Sequence, residues 1–304
     1  MERFKTLLQR EWMQHRIGWL VLMGLPTGIL LAAALFGAIH IDLGQVASDR
    51  MPPPIVLATG CIVAVAVLTM GLAWVASLIQ SPGLARRDVQ DRSIEFWLSL
   101  PESHSESIGA TLLMHLLLLP WLALLAGLAG GFLVSIIAVV RLFGFGDWLA
   151  LPWGTIAATT LFLTLRVMIG LLLATLWLSP LLLGTMAASA WLKRWGLPVV
   201  VGVVVVGGQV LDRLYGNRIV WNVLDTLGTK ASQAFLGADR GPKSAGLVIE
   251  RGDDMVGAMS VAPGWLLHDL GSALAQLASP AFVAALLAGA AAFGLLVLRR
   301  QRGA

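Results

Sequence analysis

The sequence predicts an all-α integral membrane protein with six transmembrane helices, and three observations carry that prediction. Of its 304 residues, 58% are hydrophobic and only 12% charged, with a mean hydropathy of +0.83. Such a chain cannot clothe a soluble globule in polar surface. Its apolar runs reach the roughly 20 residues that a helix needs to cross about 30 Å of hydrocarbon. They are also continuous, unlike the alternating segments of about ten residues that build an outer-membrane barrel, and in lipid only helices and closed barrels satisfy the backbone.

The elements follow in chain order as parts of one transmembrane domain, 1–304. Residues 1–16 place Phe4, Leu7, Leu8 and Trp12 on one helical face, with Arg3, Lys5, Arg10 and Glu11 largely elsewhere. That pattern predicts an amphipathic helix lying in the cytoplasmic interface. The first crossing covers about 17–39; its end, LAAALFGAIH, has the small residues of a signal-peptide cleavage site, yet the run is of spanning length and is expected to stay uncleaved. The second crossing, about 55–79, contains the lone Cys61, which leaves no internal disulfide and no Cys/His metal spacing.

A polar segment follows at 80–108, containing LARRDVQDRSIEFWLSLPESHSES. Asp88 and Asp91 are placed to cap a helix start, and Ile94, Trp97 and Leu98 share a face from which Arg92, Ser93 and Glu95 turn away. This describes a short amphipathic cytoplasmic helix, ended by Pro101. Ser103 and Glu106 have the spacing of a capping box and restart the chain into a third crossing at about 109–140.

The apolar stretch 151–192 is too long for one straight crossing. One crossing at about 166–190, preceded by an outer interfacial or tilted helix over 153–165, fits the charge pattern better than three. Arg166 precedes Lys193 by 27 residues, which as helix is about 40 Å, close to the whole bilayer with its headgroups. Arg166 is therefore expected to be an anchor at the outer interface. Pro120 and Pro180 are expected to kink the third and fourth helices. The fifth crossing covers about 196–212 and the sixth about 279–298. Between them, 213–278 reads as an external insertion, two short helices flanking a Gly-rich centre, which caps the outer mouth or else serves substrate capture or partner docking.

Charge sets the orientation. A cytoplasmic N-terminus puts Arg3, Lys5, Arg10, Arg16, Arg86, Arg87, Arg92, Lys193, Arg194, Arg299, Arg300 and Arg302 on one side, against Arg50 and Arg141 in the short segments of the other. By the positive-inside bias both termini are cytoplasmic.

Little in the crossings promises chemistry. They hold no Asp or Glu at mid-depth, so proton coupling is not expected. His115 and Gln209 are expected to make interhelical hydrogen bonds. Walker A, G-x-S-x-G and H-E-x-x-H patterns are absent, and Asp253, Asp254 and His268 share the insertion without metal spacing or a nucleophile. The chain is not expected to be an enzyme, and energy for any uphill movement must come from elsewhere. Small residues at GLAGG (127–131), Gly184 with Ala188, and Gly202 with Gly207 and Gly208 suit close helix packing or dimerisation.

The stretch RRDVQDRSIEFWLSLPESHSESIGATLL resembles the loop after the second helix in ABC-2-type permeases, the membrane subunits of ABC transporters. In one bacterial branch this loop reads approximately D-R-S-I-x-F-W-x-S-L-P-x-S. SAWLKRW at 189–195 and the final LASPAFVAALLAGAAAFGLLVLRRQR also match. The resemblance implies an ABC-2, type V exporter-like permease fold in the bacterial cytoplasmic (inner) membrane. It makes 1–16 a connecting helix and 80–108 a loop whose coupling helix docks into a cytoplasmic ATPase. It makes the segment before the last crossing a source of outer re-entrant or capping helices.

Carried over by position, Asp91, Arg92, Ser93, Glu95, Phe96 and Trp97 become the candidates for ATPase contact or loop folding, with Arg92 and Glu95 as polar contacts and Trp97 as the apolar anchor. No cofactor is implied in this chain; ATP and Mg belong to the partner ATPase. The other implied partners are a second copy or a paralogous permease and membrane lipids, without nucleic acid. The implied role is export of a lipid, peptide or amphipathic drug. The insertion, at about 65 residues, is longer than the re-entrant hairpin of many ABC-2 permeases. A non-transport membrane scaffold or assembly factor that recruits a cytosolic protein is the alternative.

Overall fold

The computed structural model describes residues 2–37, 53–90, 103–235 and 252–302. Eleven α-helices build them: α1 (Glu2–Phe36), α2 (Pro54–Gln90), α3 (His104–Leu113), α4 (Leu119–Leu142), α5 (Phe145–Leu149), α6 (Trp153–Trp177), α7 (Ser179–Leu192), α8 (Gly196–Tyr215), α9 (Ile219–Phe235), α10 (Gly252–Ala275) and α11 (Pro280–Arg302). Among the described residues there is no strand. Six stretches are long and apolar enough to cross a membrane: Phe4–Phe36, Pro54–Ala85, His104–Leu142, Trp153–Trp177, Ser179–Tyr215 and Pro280–Arg302.

Helices α2 and α4 make the most extensive helix contact among the described residues, and small residues allow it. A Cβ at Gly127 would stand 2.7 Å from the Ala66 Cα, and one at Gly131 2.7 Å from the Ile62 Cα, so the two backbones nearly touch. Without side chains in the way, dispersion contacts form along the whole seam, which is how helices associate where no water drives them together. Gly184, Gly202 and Gly207 meet nothing within 4 Å.

Both predicted prolines mark interruptions. Pro120 cannot donate to the Leu116 carbonyl, and a π turn at Met114–Leu118 joins α3 to α4 just before it. Pro180 sits in the first turn of α7, after the break at Leu178, where a missing N–H costs no helical bond.

That second break moves the fourth span. It is Trp153–Trp177, not 166–190, because counting down to Lys193 presumes a straight helix that Ser179-Pro180 does not allow. Instead α7 packs beside α11: Trp177 meets Phe282 edge-on at 5.1 Å, and Met186 and Ala187 cluster with Leu296. At Lys193, whose φ of 55° is the one positive value at a non-glycine among the described residues, the chain turns sharply. A Cβ at Gly196 would lie 2.4 Å from the Ser189 Cα, whereas seven residues of straight helix rise about 10 Å. The stretch Ser179–Tyr215 is therefore two helices, α8 folding back from α7.

The N-terminal amphipathic segment is no separate interfacial helix. It continues into the first crossing as one 35-residue helix, whose first proline is Pro26. Nothing before Pro26 interrupts the backbone ladder strongly enough to bend the chain into the interface plane; a lone Gly18 costs only about 1 kcal/mol. The helix buries Trp19 and Met23 against Ala73, Met114 and Leu119, with Leu8 and Trp12 alongside.

At the polar segment, α2 runs on to Gln90, so Asp88 stands in its last turn and not at a helix start. Residues 91–102 lie outside the described residues. The capping box beyond them is present: Glu106 N–H donates to Ser103 Oγ at 3.2 Å and Ser103 N–H to Glu106 Oε2 at 3.4 Å.

Candidate functional site

The described part of the insertion packs along the bundle. Thr159 Oγ1 of α6 donates to the Met259 carbonyl of α10 at 3.0 Å, and about two to three turns further along both helices Arg166 meets Asp269. The two helices therefore run side by side in the same direction. Helix α9 packs on α6 as well, its Leu227, Ala231 and Ala234 forming a core with Leu173, Ala174 and Trp177.

Arg166 and Asp269 make the central feature of this contact. Arg166 Nε donates to Asp269 Oδ2 at 2.8 Å, and Nη2 lies 2.7 Å from the same oxygen, an ion contact bent away from a linear hydrogen bond. Nη1 donates to the Ala234 carbonyl, so one guanidinium ties α6, α9 and α10 together. Residue exposure is 1% at Arg166 and 0% at Asp269. Four residues on, Gly170 leaves the room: a Cβ there would stand 2.8 Å from the Ala234 oxygen and 3.0 Å from Arg166 Nη1.

The pair stands at half-height in the bundle. Val167 packs with Ala66, Met70 and Leu124, and Trp121 Nε1 donates to the Met168 carbonyl at 3.1 Å. Trp121 and Leu124 lie midway along the His104–Leu142 stretch, and Arg166 midway along Trp153–Trp177. The role of outer anchor thus gives way to an enclosed contact between helices: Arg166 faces protein at the middle of its span. Two charges withdrawn from water are tolerated here because each neutralises the other and the backbone carbonyl takes a further N–H.

A second polar cluster joins α1 to α3. Glu11, fully buried, accepts from Arg10 Nη2 at 2.8 Å and from Thr111 Oγ1 at 3.1 Å. His115 Nε2 lies 3.4 Å from the other carboxylate oxygen, outside hydrogen-bond geometry. The π turn carries His115, and widened turns of this kind aim a side chain that a regular helix would place elsewhere. Trp19 closes the cluster edge-on at 5.2 Å from the imidazole. His115 is thus brought beside a carboxylate of another helix without the interhelical hydrogen bond expected of it, and Gln209 stands on an exposed face of α8.

The same end of the bundle collects the basic residues. Leu84 and Ile108, flanking the polar segment, pack with Met186 and Leu296, and the Arg299 and Arg302 guanidinium carbons lie 5.8 Å from the Trp191 ring centre. His15, Lys193 and Arg194 share one cavity there. At the opposite end Arg141 donates to the carbonyls of Ala34 and Leu35. Of the residues singled out by sequence, Asp91, Arg92, Ser93, Glu95, Phe96 and Trp97 lie outside the described residues; their flanks, Gln90 and Ser103, belong to the basic end.

Among the described residues no group of three or more His, Cys, Asp or Glu side chains could hold a metal ion. The fold and its buried pairs define the class: an all-helical, multi-pass membrane protein. Comparison with protein-family models, with curated proteins and with solved structures gives no match to this chain.

One expectation follows from the packing at Gly170. Gly170→Ala forces its new methyl against the Ala234 carbonyl and should cost about 1–3 kcal/mol, read as a lower unfolding temperature in detergent. Gly184→Ala, which meets nothing within 4 Å, should hold that temperature or raise it slightly, since alanine is favoured over glycine by about 1 kcal/mol in a helix interior.

Proposed function

We propose that the chain is an ABC-2-type permease subunit, working as a dimer with two separate ATPases that bind the ATP and Mg. The carrying observation is the motif DRSIEFWLSLPES, whose flanking helix ends lie at the basic end of the bundle. By the positive-inside bias that end faces the cytoplasm. The reading places the protein in a bacterial inner membrane with both termini inside, exporting a lipid, peptide or amphipathic drug.

Coupling in this reading is mechanical. Closure of the ATPases presses on residues 88–101, with Arg92 and Glu95 as polar contacts and Trp97 as the apolar anchor. The push enters α2 at Gln90 and α3 at its Ser103 cap. The glycine seam makes α2 and α4 move together, and Glu11 links α1 to that movement through Thr111. Helices α6, α9 and α10, joined at Arg166, form a second body against which the first can shift.

Glu95→Arg and Trp97→Ala are expected to lower transport-coupled ATPase activity on the order of tenfold, as loss of an interface hot spot does, with membrane insertion intact. Full coupling in both variants would overturn the assigned contact. Isolation with a cytosolic partner that lacks a Walker motif would favour the scaffold reading.

A further inference from the structure

At the basic end, α1, α2, α7 and the start of α8 surround a cavity of about 510 Å³. Lys193, Arg194 and His15 give it three basic groups from two elements of the fold, and Gln80 and Ser189 add neutral hydrogen-bonding groups. No carboxylate lines it among the described residues. The rest of the wall is apolar, Leu197 included.

The turn that presents the two cations is built with some strain. Lys193 holds φ 55° and ψ −128°, a conformation that side-chain-bearing residues rarely adopt, and Gly196 closes the turn by lying against the Ser189 backbone. Strain of this kind persists where the surrounding structure over-determines a position. Helix α8, 20 residues long, begins at Gly196, so its N-terminal N–H groups add positive potential at the same place.

Beyond the cavity α8 carries a valine track: Val199, Val203 and Val206 share one helical face and are between 41% and 67% exposed. A basic cavity with no carboxylate among its described lining residues, at the mouth of an apolar track, matches one chemical class, an anionic headgroup carrying acyl chains. We propose that this cavity binds an anionic phospholipid, Lys193 and Arg194 holding its phosphate and the α8 valines receiving an acyl chain. A zwitterionic lipid would bring its own cation against Lys193 and Arg194, and a free phosphate would gain nothing from the valines. Basic pockets between spans at one membrane face are a recognised setting for such headgroups. The site rests on the membrane fold and not on the permease reading.

The test uses the purified full-length chain in detergent, without any ATPase. Phosphatidylglycerol, phosphatidylcholine and soluble glycerol phosphate are added separately, and the unfolding temperature and the lipids retained in native mass spectrometry are read. Phosphatidylglycerol is expected to raise the unfolding temperature and to remain bound; the other two are not. Lys193→Gln with Arg194→Gln should weaken phosphatidylglycerol binding on the order of tenfold while keeping the unfolding temperature seen in phosphatidylcholine. Should that pair unfold the protein, Arg194→Gln alone, read by bound lipid, carries the same comparison. An equal effect of phosphatidylcholine, a full effect of glycerol phosphate, or undiminished phosphatidylglycerol binding in the variants would overturn the proposal.

Discussion

Asp269→Ala is expected to destabilise the folded protein by about 3–5 kcal/mol, the usual cost of leaving one member of a buried ion pair alone. The cause is specific. Arg166 would keep only the Ala234 carbonyl among its described partners, at half-height in the bundle and with 1% exposure. Water cannot replace the carboxylate without opening the contact between α6, α9 and α10. Asp269→Asn should cost less, because the amide oxygen can still accept from Nε. Replacing both charges, Arg166→Met with Asp269→Leu, should recover much of the loss, since it removes the desolvation cost together with the attraction. A double-mutant cycle by equilibrium unfolding in detergent measures this directly. A neutral Asp269→Ala would show that the two side chains do not pair.

Gly131→Leu is expected to be the second severe change. Even a methyl at Gly131 would lie 2.7 Å from both the Cα and the carbonyl oxygen of Ile62, and both are backbone atoms that cannot rotate aside. A clash with side-chain ends can relax; here α2 and α4 must separate, and the dispersion contacts along their seam go with them. Overpacking costs about 1–3 kcal/mol for a methylene or two, and leucine adds more than that. Gly130 makes a useful contrast, because the three atoms nearest a Cβ there all belong to the Thr27 side chain, whose Oγ1 and Cγ2 can rotate aside and leave a smaller shift for its Cβ at 2.9 Å. The expected order of unfolding temperatures is therefore unmodified chain, Gly130→Ala, Gly131→Ala, Gly131→Leu, from highest to lowest. Leucine tolerated at Gly131 would contradict the close α2–α4 contact.

What was legible in the sequence was what depends on local pattern. Run lengths near 20 residues, the Ser103-x-x-Glu106 cap, the two proline interruptions and the GLAGG seam all act within a few turns of helix, and all appear in the structure. What was not legible depends on partners distant in the chain. Asp269 reads as an exposed acid in an insertion until α10 is laid beside α6, 103 residues earlier. Glu11, expected away from the face of Leu7, Leu8 and Trp12, falls within it at helical spacing, and the approach of Thr111 helps make it a buried acceptor. Two signals could have hinted at the first pair: an arginine followed four residues later by a glycine inside an apolar run, and a lone aspartate in an apolar helical piece of similar length. Neither fixes a partner on its own. The error over Arg166 has the same origin, since its depth was counted along one helix when the packing of α6 against α2 and α4 sets it.

The central claim, that residues 91–97 transmit the work of a separate ATPase, is tested most directly by crosslinking from that segment in native membranes. A photoreactive residue in place of Trp97, activated in the membranes of the producing cell, should form an adduct with a cytosolic protein carrying a Walker motif. The adduct should diminish when Glu95→Arg is added. A chain that is correctly inserted yet forms its adduct only with proteins lacking nucleotide-binding motifs would contradict the claim.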